Sequence, residues 1–205
     1  YLIFNLVFCM RTLIIGDVHG CSFELRKMIS VVQPSKVILV GDLFTKGPDP
    51  KGVWDLIQKH NMKGVLGNHD LALLSNKKKI LPKRAYKYIE NLPLFIELNS
   101  CIIVHAGINP NGKTTKQQSI TLRRVPDDRQ IDNPFWWEVI ETKKLIVYGH
   151  DAKRGLQDHR PHTLGLDTGC VYGNALTGYI LEEDELIQIQ AKKNYCKIVD
   201  KEKYK

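Results

Sequence analysis

Cysteine is scarce in this sequence and follows no pattern. The five cysteines among 205 residues are odd in number, scattered along the chain, and never spaced as Cys-x-x-Cys. That usage argues against a disulfide framework and against a structural zinc site. It predicts free thiols in a reducing compartment, the cytoplasm.

The sequence also lacks an apolar run long enough to cross a bilayer. Residues 1–10 are apolar but too short for a membrane span, and they lack the leading positive charge of a secretory signal. We therefore expect no membrane association. Because Met10 and Arg11 directly precede the first predicted strand, we expect residues 1–11 to be an N-terminal extension. Residues 1–9 would then be upstream sequence or the product of a misplaced start.

Internal repeats and low-complexity linkers are absent too, which favours a single domain. We expect this domain to cover residues 12–191, followed by a frayed, lysine-rich tail at residues 192–205. Basic residues outnumber acidic ones by 30 to 22, which gives a formal net charge of +8. This charge fits plain solubility, and it equally fits attraction to a polyanion such as a nucleotide, polyphosphate or RNA.

Hydrophobic periodicity in the first third of the chain predicts a βαβαβ unit. Apolar runs predict strands at residues 12–15, 37–40 and 65–66, and helical spacing of apolar residues predicts helices around 25–32 and 53–57. Strands that alternate with helices imply parallel strands joined by right-handed crossovers. The sequence therefore predicts the α/β class.

The rest of the chain predicts one long helix, two hairpins, a polar loop and further strands. In chain order, these elements are expected at residues 71–90 (helix), 94–98 and 101–104 (hairpin), 109–133 (loop with a short helix near 119–124), 134–140 (helix), 145–148 and 163–166 (strands), and 176–181 and 186–190 (hairpin). Asn133 is expected to cap the helix at 134–140, with Pro134 at its first position.

Polar side chains suited to metals follow the ends of several predicted strands, most of them beside a glycine. They are Asp17, His19, Asp42, Asn68, His69, His105 and His150. Sites of open α/β sheets form at the carboxyl ends of strands, so residues far apart in sequence converge there. A lone histidine at a strand end is usually structural, whereas a set of this size favours a shared metal site.

The ligand types indicate which metals and which chemistry to expect. Asp, His and Asn without cysteine suit borderline divalent ions such as Mn, Fe, Zn, Co or Ni, with Mg less favoured. The candidates are too many for one open catalytic ion and suit two, with one carboxylate bridging. Two ions about 3.5–4 Å apart clamp an in-line displacement at phosphorus and lower the pKa of bound water toward neutrality. The sequence therefore predicts hydrolysis of a phosphoester or phosphoanhydride.

Five short motifs, in this order, resemble those of the calcineurin-like metallophosphoesterases of the phosphoprotein-phosphatase superfamily. They are Gly16-Asp17-Val18-His19-Gly20, Gly41-Asp42, Gly67-Asn68-His69-Asp70, His105-Ala106-Gly107 and Gly149-His150. The spacing between the first three motifs fits one β-α-β step each. The resemblance implies the fold of that superfamily, an αββα sandwich with two central mixed sheets.

The resemblance also implies a role for each matching residue. Asp17 and His19 would bind a first metal, and Asp42 would bridge it to a second. The second metal would be completed by Asn68, His105 and His150. His69 would not bind metal; it would protonate the leaving oxygen or hold the phosphate, so that Asp42 and His69 are the expected catalytic residues. The implied cofactors are two divalent ions, with Mn preferred.

Departures from the superfamily pattern bear on the substrate. Thr45-Lys46-Gly47 stands where the protein Ser/Thr phosphatases carry Asp-Arg-Gly. Without that acid, His69 loses the carboxylate expected to orient it. Replacing the bidentate arginine by Lys46 suits a phosphate chain of variable geometry, which makes Lys46 the first candidate for substrate contact. The further candidates for stabilising phosphoryl charge are Arg123, Arg124 and Arg154.

Two later segments, residues 150–157 and 165–173, resemble the ApaH-like phosphatases, relatives of symmetrical diadenosine tetraphosphatase. That family cleaves phosphoanhydrides in dinucleoside polyphosphates, inorganic polyphosphate or nucleotide caps on RNA. Asp167, in the second segment, is expected to cap a turn near the site. Trp136 and Trp137, at the start of the helix predicted at 134–140, are expected to lie in the core, with nucleobase stacking as the alternative.

The implied function is a two-metal-dependent phosphohydrolase in which a metal-activated water attacks phosphorus in a dinucleoside polyphosphate or a related chain. One alternative is a protein Ser/Thr phosphatase on the same scaffold, acting on a phosphoprotein. Another is a polyanion-binding module with a vestigial site. The retained ligand set argues against the vestigial site.

Overall fold

Two mixed sheets, each of five strands, dominate the part of the chain that this computed structural model describes, residues 10–77, 79–126 and 128–197. In chain order the elements are β1 (Thr12–Ile15), α1 (Ser22–Val32), β2 (Lys36–Leu39), α2 (Pro50–Lys59), β3 (Lys63–Gly64), α3 (Asn68–Ser75), α4 (Lys83–Glu90), β4 (Phe95–Glu97), β5 (Cys101–Val104), α5 (Lys116–Thr121), α6 (Trp136–Val139), β6 (Leu145–Tyr148), β7 (Gln157–His159), β8 (Thr163–Gly165), a 3-10 helix (Cys170–Tyr172), β9 (Ala175–Ile180) and β10 (Glu185–Gln190). The predictions for residues 1–9 and for the end of the tail lie outside the described residues, and the expected domain limits stay predictions.

The first sheet has the strand order β10-β9-β1-β2-β3. Strands β1, β2 and β3 are parallel, with Leu13 opposite Val37, and β9 runs antiparallel to both β1 and β10. The parallel part is the predicted βαβαβ unit, with α1 and α2 as its crossovers. Helix α2 begins at Pro50, before the predicted residues 53–57, because the Asp49 carboxylate accepts the N–H of Gly52 at 2.8 Å and proline fits the first turn.

The second sheet has the order β4-β5-β6-β8-β7. Strands β5, β6 and β8 are parallel, and the two outer strands run antiparallel to their neighbours. Both sheets are therefore mixed, as predicted. The parallel strands of each sheet send their carboxyl ends to one edge, where metal-binding side chains were expected.

An apolar layer joins the two sheets. From the first sheet it takes Ile14, Ile38 and Val40, and from the second it takes Ile103 and Val147, all of them fully buried. Each such side chain contributes about 1.5–3 kcal/mol relative to an exposed one. Because these residues alternate with others that face the outer layers, each strand is buried on both sides, which explains its unbroken apolar sequence.

Helices cover the outer faces and complete the αββα arrangement. Helices α1, α2 and α4 pack on the first sheet in the largest apolar cluster. On the other side, Trp136 and Trp137 pack against Tyr148 of β6, with ring centroids 5.0 and 5.5 Å away. Both tryptophans are buried, which confirms their predicted place in the core.

Several predicted boundaries are wrong. The single helix expected over 71–90 is two helices, α3 and α4, because Pro82 lacks an N–H and has an extended backbone at the start of α4. The helix expected over 134–140 is only α6, and Phe135 rather than Asn133 precedes it; the carboxylate of Glu138 accepts the N–H of Phe135 at 2.7 Å. Strand β3 precedes the predicted residues 65–66, and β7 was not predicted.

Two compositional expectations can be compared with the structure. Within the described residues, no helix combines the length and the apolar character needed to cross a membrane. The cysteines described are all free thiols: Cys21, Cys101, Cys170 and Cys196. The free-thiol prediction is confirmed for these four, and the compartment stays a prediction.

Candidate metal centre

The predicted metal-binding residues converge at the edge where both sheets end. Asp17 and His19 follow β1, Asp42 follows β2, and His105 and His150 follow β5 and β6. The remaining two, Asn68 and His69, open helix α3 just after β3. Two sets of residues each offer potential ligand atoms that lie within 4.8 Å of one another. One set is His19, Asp42 and His69, and the other is Asp17, Asp42 and His105. Asp42 belongs to both sets.

Asn68, His105 and His150 form one half of this centre. The Asn68 Oδ1 atom lies 3.0 Å from Nε2 of His105 and 3.0 Å from Nδ1 of His150. The Asp42 Oδ1 atom lies 3.5 Å from the same Nε2 of His105. The two imidazole rings meet edge to face with their centroids 5.1 Å apart. Two sheets and one helix terminus therefore supply one compact donor set.

The tautomer of His105 shows that this half suits a cation. Its Nδ1 lies 2.8 Å from the carbonyl oxygen of Val40, so it carries the proton. Burial lowers the pKa of His105 to about 4, so the ring is neutral and its Nε2 presents a lone pair. That lone pair faces the oxygens of Asn68 and Asp42, which are also acceptors. Converging acceptors repel one another unless a positive charge lies among them, and a divalent ion provides it.

His19, Thr45 and Lys46 form the other half with Asp42. The His19 Nδ1 lies 3.1 Å from the hydroxyl of Thr45, and its Nε2 lies 3.6 Å from Asp42 Oδ2. The Lys46 ammonium lies 3.3 Å from that Nε2, so this half of the centre already contains a positive charge. Thr45 therefore contacts His19, whereas the sequence analysis expected the residue at this position to orient His69.

His69 contacts this half from α3. Its backbone N–H donates to Asp42 Oδ1 at 2.9 Å, and its ring meets that of His19 edge to face at 5.2 Å. Because one of its nitrogens lies within 4.8 Å of His19 and Asp42 atoms, His69 is itself among the candidate ligands of the first half of the centre.

Carboxyl groups buried at the centre resist ionisation. Burial raises the pKa of Asp42 to about 7 and that of Asp70 to about 7. Burial, and then the nearby charges of Asp167 and Asp42, raise the pKa of Asp17 well above its usual range. Burial is also the main reason that the pKa of His19 and of His150 lies well below the usual value. Carboxylates that resist ionisation beside neutral imidazoles are what a divalent cation would convert into ligands.

The backbone at the centre is held in an uncommon conformation. His19, Asp42, Lys46 and His150 have positive φ angles of 45°, 54°, 66° and 72°. Side chains other than glycine disfavour this left-handed region, and the fold maintains it through the surrounding hydrogen bonds. One of these runs from the His19 N–H to the carbonyl of Asp42 at 2.8 Å.

Glycine allows a close approach beside these residues. A Cβ on Gly149 would lie 2.0 Å from Oδ1 of Asp17. Because Gly149 has no side chain, the Asp17 carboxylate can accept the N–H of His150 at 3.2 Å.

Arginines border the second half of the centre. Arg123 donates to the carbonyl of His150 at 3.3 Å, and its Nε lies 3.7 Å from Asp151. Arg154 donates to the other oxygen of Asp151 at 2.7 Å. Arg124 lies against the ring of Phe135, 3.9 Å from its centroid. Among the predicted substrate contacts, Lys46 lies in the first half of the centre and Arg123 beside the second.

A family model for calcineurin-like phosphoesterases matches residues 10–185. The chain belongs to the calcineurin-like phosphoesterase family. Members of this family use a dinuclear metal centre. The match covers strands β1 to β9 and every residue of the two ligand sets, so the family to which the motifs were compared is confirmed.

Named relatives and a solved structure extend the comparison. The chain is 28% identical to the asymmetrical bis(5'-nucleosyl)-tetraphosphatase PrpE of Oceanobacillus iheyensis, covering 91% of this chain and 94% of the relative. It is 26% identical to the symmetrical bis(5'-nucleosyl)-tetraphosphatase of Vibrio parahaemolyticus, covering 86% and 97%. The crystal structure of a candidate diadenosine tetraphosphatase superposes with a TM-score of 0.83 at 29% identity, covering 90% and 95%.

The sequence analysis assigned no role at the centre to two nearby carboxylates, Asp70 and Asp151. Asp70, in the third motif, is fully buried and its Oδ1 accepts the N–H of Leu43 at 2.9 Å, which fixes the turn after Asp42. Asp151 follows His150 directly, is itself buried, and pairs with the more exposed Arg123 and Arg154. The signal available for Asp151 was its place directly after the fifth motif. Asp167 accepts the N–H of Gly169 at 3.1 Å, which confirms the predicted turn cap.

Proposed function

We propose that this chain is a phosphohydrolase that uses two divalent metal ions to cleave phosphoanhydride bonds of dinucleoside polyphosphates. The observation that carries the proposal is the shared position of Asp42, which belongs to both sets of potential ligands. A carboxylate between two donor sets is what a dinuclear centre needs as its bridge.

The two ions would share these ligands as the motifs imply. Asp17 and His19 would bind the first ion, Asp42 would bridge, and the second ion would be bound by Asn68, His105 and His150. When bound, a pair of ions polarises the phosphoryl oxygens and lowers the pKa of a water molecule toward neutrality. The oxygen and nitrogen donors, without sulfur, favour Mn over softer metals.

The chain itself supplies orientation and charge. The Val40 carbonyl fixes the tautomer of His105, so that its Nε2 faces the centre, and the Thr45 hydroxyl orients the ring of His19 through its contact with Nδ1. His69, whose ring contacts that of His19, would hold the phosphate or give a proton to the leaving oxygen. Lys46 and Arg123 would stabilise negative charge on the transferred phosphoryl group.

Two independent observations support this substrate class. The named relatives that span nearly all of this chain include both asymmetrical and symmetrical dinucleoside tetraphosphatases. Lys46 presents a mobile point charge rather than a bidentate fork, which suits a phosphate chain of variable geometry. Phosphoanhydrides joining two nucleosides are therefore the favoured substrates.

A substrate comparison tests the proposal. With Mn present, we expect nucleotide release from diadenosine tetraphosphate well above phosphate release from a phosphoserine peptide. Chromatography of the products would also separate symmetrical from asymmetrical cleavage, since the first gives two ADP and the second gives ATP and AMP. Replacing Mn by Co, Mg or Zn would rank the metals, and Asp42→Asn serves as the inactive control. Faster release from the phosphopeptide would instead support a protein phosphatase, and no turnover of either would refute hydrolysis.

A further inference from the structure

A buried carboxylate just beyond the metal centre binds two exposed arginines. The Asp151 side chain is 7% exposed, whereas those of Arg123 and Arg154 are 41% and 33% exposed. Each arginine takes a different oxygen: Nε of Arg123 lies 3.7 Å from Oδ1, and Nη1 of Arg154 lies 2.7 Å from Oδ2. One carboxylate thus holds two guanidinium groups side by side, and the trio keeps one net positive charge.

The two arginines differ in their second contact. Arg123 donates to the carbonyl of His150, which places it beside the centre. The guanidinium of Arg154 lies 4.0 Å from the centroid of the Phe135 ring. The contacts that start at His150 therefore run through Arg123 and Asp151 to Arg154.

Arg154 is held on two sides before any ligand arrives. Asp151 fixes its Nη1, and the face of Phe135 supports its plane. Phe135 is itself fixed, since it stacks on the buried Trp137 with ring centroids 4.5 Å apart and planes 4° from parallel. Fixing a long side chain in advance reduces the entropy lost on binding and raises affinity for an anion placed against it.

We propose that Asp151 is a positioning residue that turns Arg123 and Arg154 into a subsite for the phosphates beyond the scissile one in a polyphosphate chain. This inference rests on the proposed function and sharpens it, because it assigns chain-length preference to this trio. A substrate with one phosphate would reach only the metal centre and Arg123. A chain of several phosphates would extend outward to Arg154, whose fork can contact two oxygens at once.

The test compares substrates that differ in phosphate number. KM and kcat are measured with Mn for diadenosine tetraphosphate and for p-nitrophenyl phosphate, in the wild type and in Asp151→Asn. Since a hydrogen bond to a charged group is involved, we expect KM for the tetraphosphate to rise about tenfold or more. We expect a distinctly smaller factor for p-nitrophenyl phosphate. A merely structural defect would act on both substrates alike.

Two further variants keep the test decisive. Arg154→Gln changes a partly exposed side chain, so it should fold even if Asp151→Asn does not, and it should show the same selective rise in KM. Asp158→Asn is the matched control, because Asp158 binds Arg160 at 2.7 Å on the antiparallel outer strand β7 and has no part in the subsite. It should leave both KM values unchanged.

Each outcome bears on a different claim. Equal factors for both substrates in folded Asp151→Asn and Arg154→Gln would overturn the subsite while leaving the proposed function intact. A wild type that hydrolyses p-nitrophenyl phosphate but not the tetraphosphate would refute the proposed substrate class, and the subsite with it. A selective rise in KM for the tetraphosphate would support both.

Discussion

Adding one methyl group at Gly149 should disable the metal centre although every ligand is kept. The new Cβ would lie 2.0 Å from Oδ1 of Asp17 and 2.8 Å from a methyl of Val40, whereas ordinary contacts begin near 3.4 Å. The Asp17 carboxylate would therefore have to retreat by about 1.4 Å, the difference between these limits. The hydrogen bond from the His150 N–H to Asp17 would be lost in the same movement.

A displacement of this size is large for a metal site. Ligand distances are held to about 0.2 Å in such sites. A misplacement of about 1 Å costs roughly 10²-fold in rate, which corresponds to ~2.7 kcal/mol. We expect Gly149→Ala to lower Mn affinity and turnover by at least this factor. Overpacking should cost about 1–3 kcal/mol of folding stability, which leaves a folded protein to measure.

The assay needs a readout of metal binding besides activity. Isothermal titration of Mn into metal-free protein gives the affinity, and thermal melting reports whether the variant is folded. Gly64→Ala in β3 is the matched control, because its Cβ would come no closer than 3.1 Å to a neighbouring atom, the carbonyl of Leu39. If folded Gly149→Ala binds Mn as tightly as Gly64→Ala does, the placement of Asp17 in the metal centre is refuted.

Three further predictions follow from the same geometry. Asp42→Asn should abolish turnover with every metal tested, and retention of more than about a tenth of wild-type activity would contradict its bridging role. His69→Asn should keep its metals while turnover slows about 10²-fold or more, as expected for loss of a general acid; loss of metal in elemental analysis would instead make His69 a ligand. The metal-free protein should become less stable as the pH rises from 6.5 to about 8, as measured by melting in a chelator. The folded-state pKa values of Asp42 and Asp70, about 7, lie above 3.8, so their contribution is complete at low pH and is lost as the pH rises through about 7. The pKa of His105 is lowered from 6.5 to about 4, so this residue changes the stability in the opposite direction, but only below pH 6.5. A melting temperature that rises over this pH interval would contradict the raised pKa values of Asp42 and Asp70.

Much of the fold was predictable because local and long-range signals agree. Strand β1 is apolar from Leu13 to Ile15 and is followed by Gly16, and its apolar residues pair one for one with those of β2. The five motifs mark strand ends, and the parallel order brings those ends together. The positions of Asp17, Asp42 and His105 could therefore be predicted from the sequence.

Other features depend on side-chain directions that no periodicity specifies. The hydroxyl of Thr45 lies 3.1 Å from Nδ1 of His19, in a turn whose Leu43 N–H donates to Asp70 of helix α3. The pairing of Asp151 with Arg123 joins loops from different parts of the chain. The break at Pro82 is a different case, because proline carries a local signal and the apolar pattern was allowed to override it.

The left-handed backbone at His19, Asp42 and His150 has a consequence for how this sequence can change. Each such residue costs about 1–3 kcal/mol, which glycine at the same position would largely recover. Selection for thermal stability alone would therefore favour replacing these residues by glycine. The product would be a more stable protein that has lost its proposed metal ligands. The reserve of stability in the apolar layer between the sheets is what allows the chain to keep them. Stability engineering of this molecule should accordingly begin in that layer and leave the loops at the strand ends unchanged.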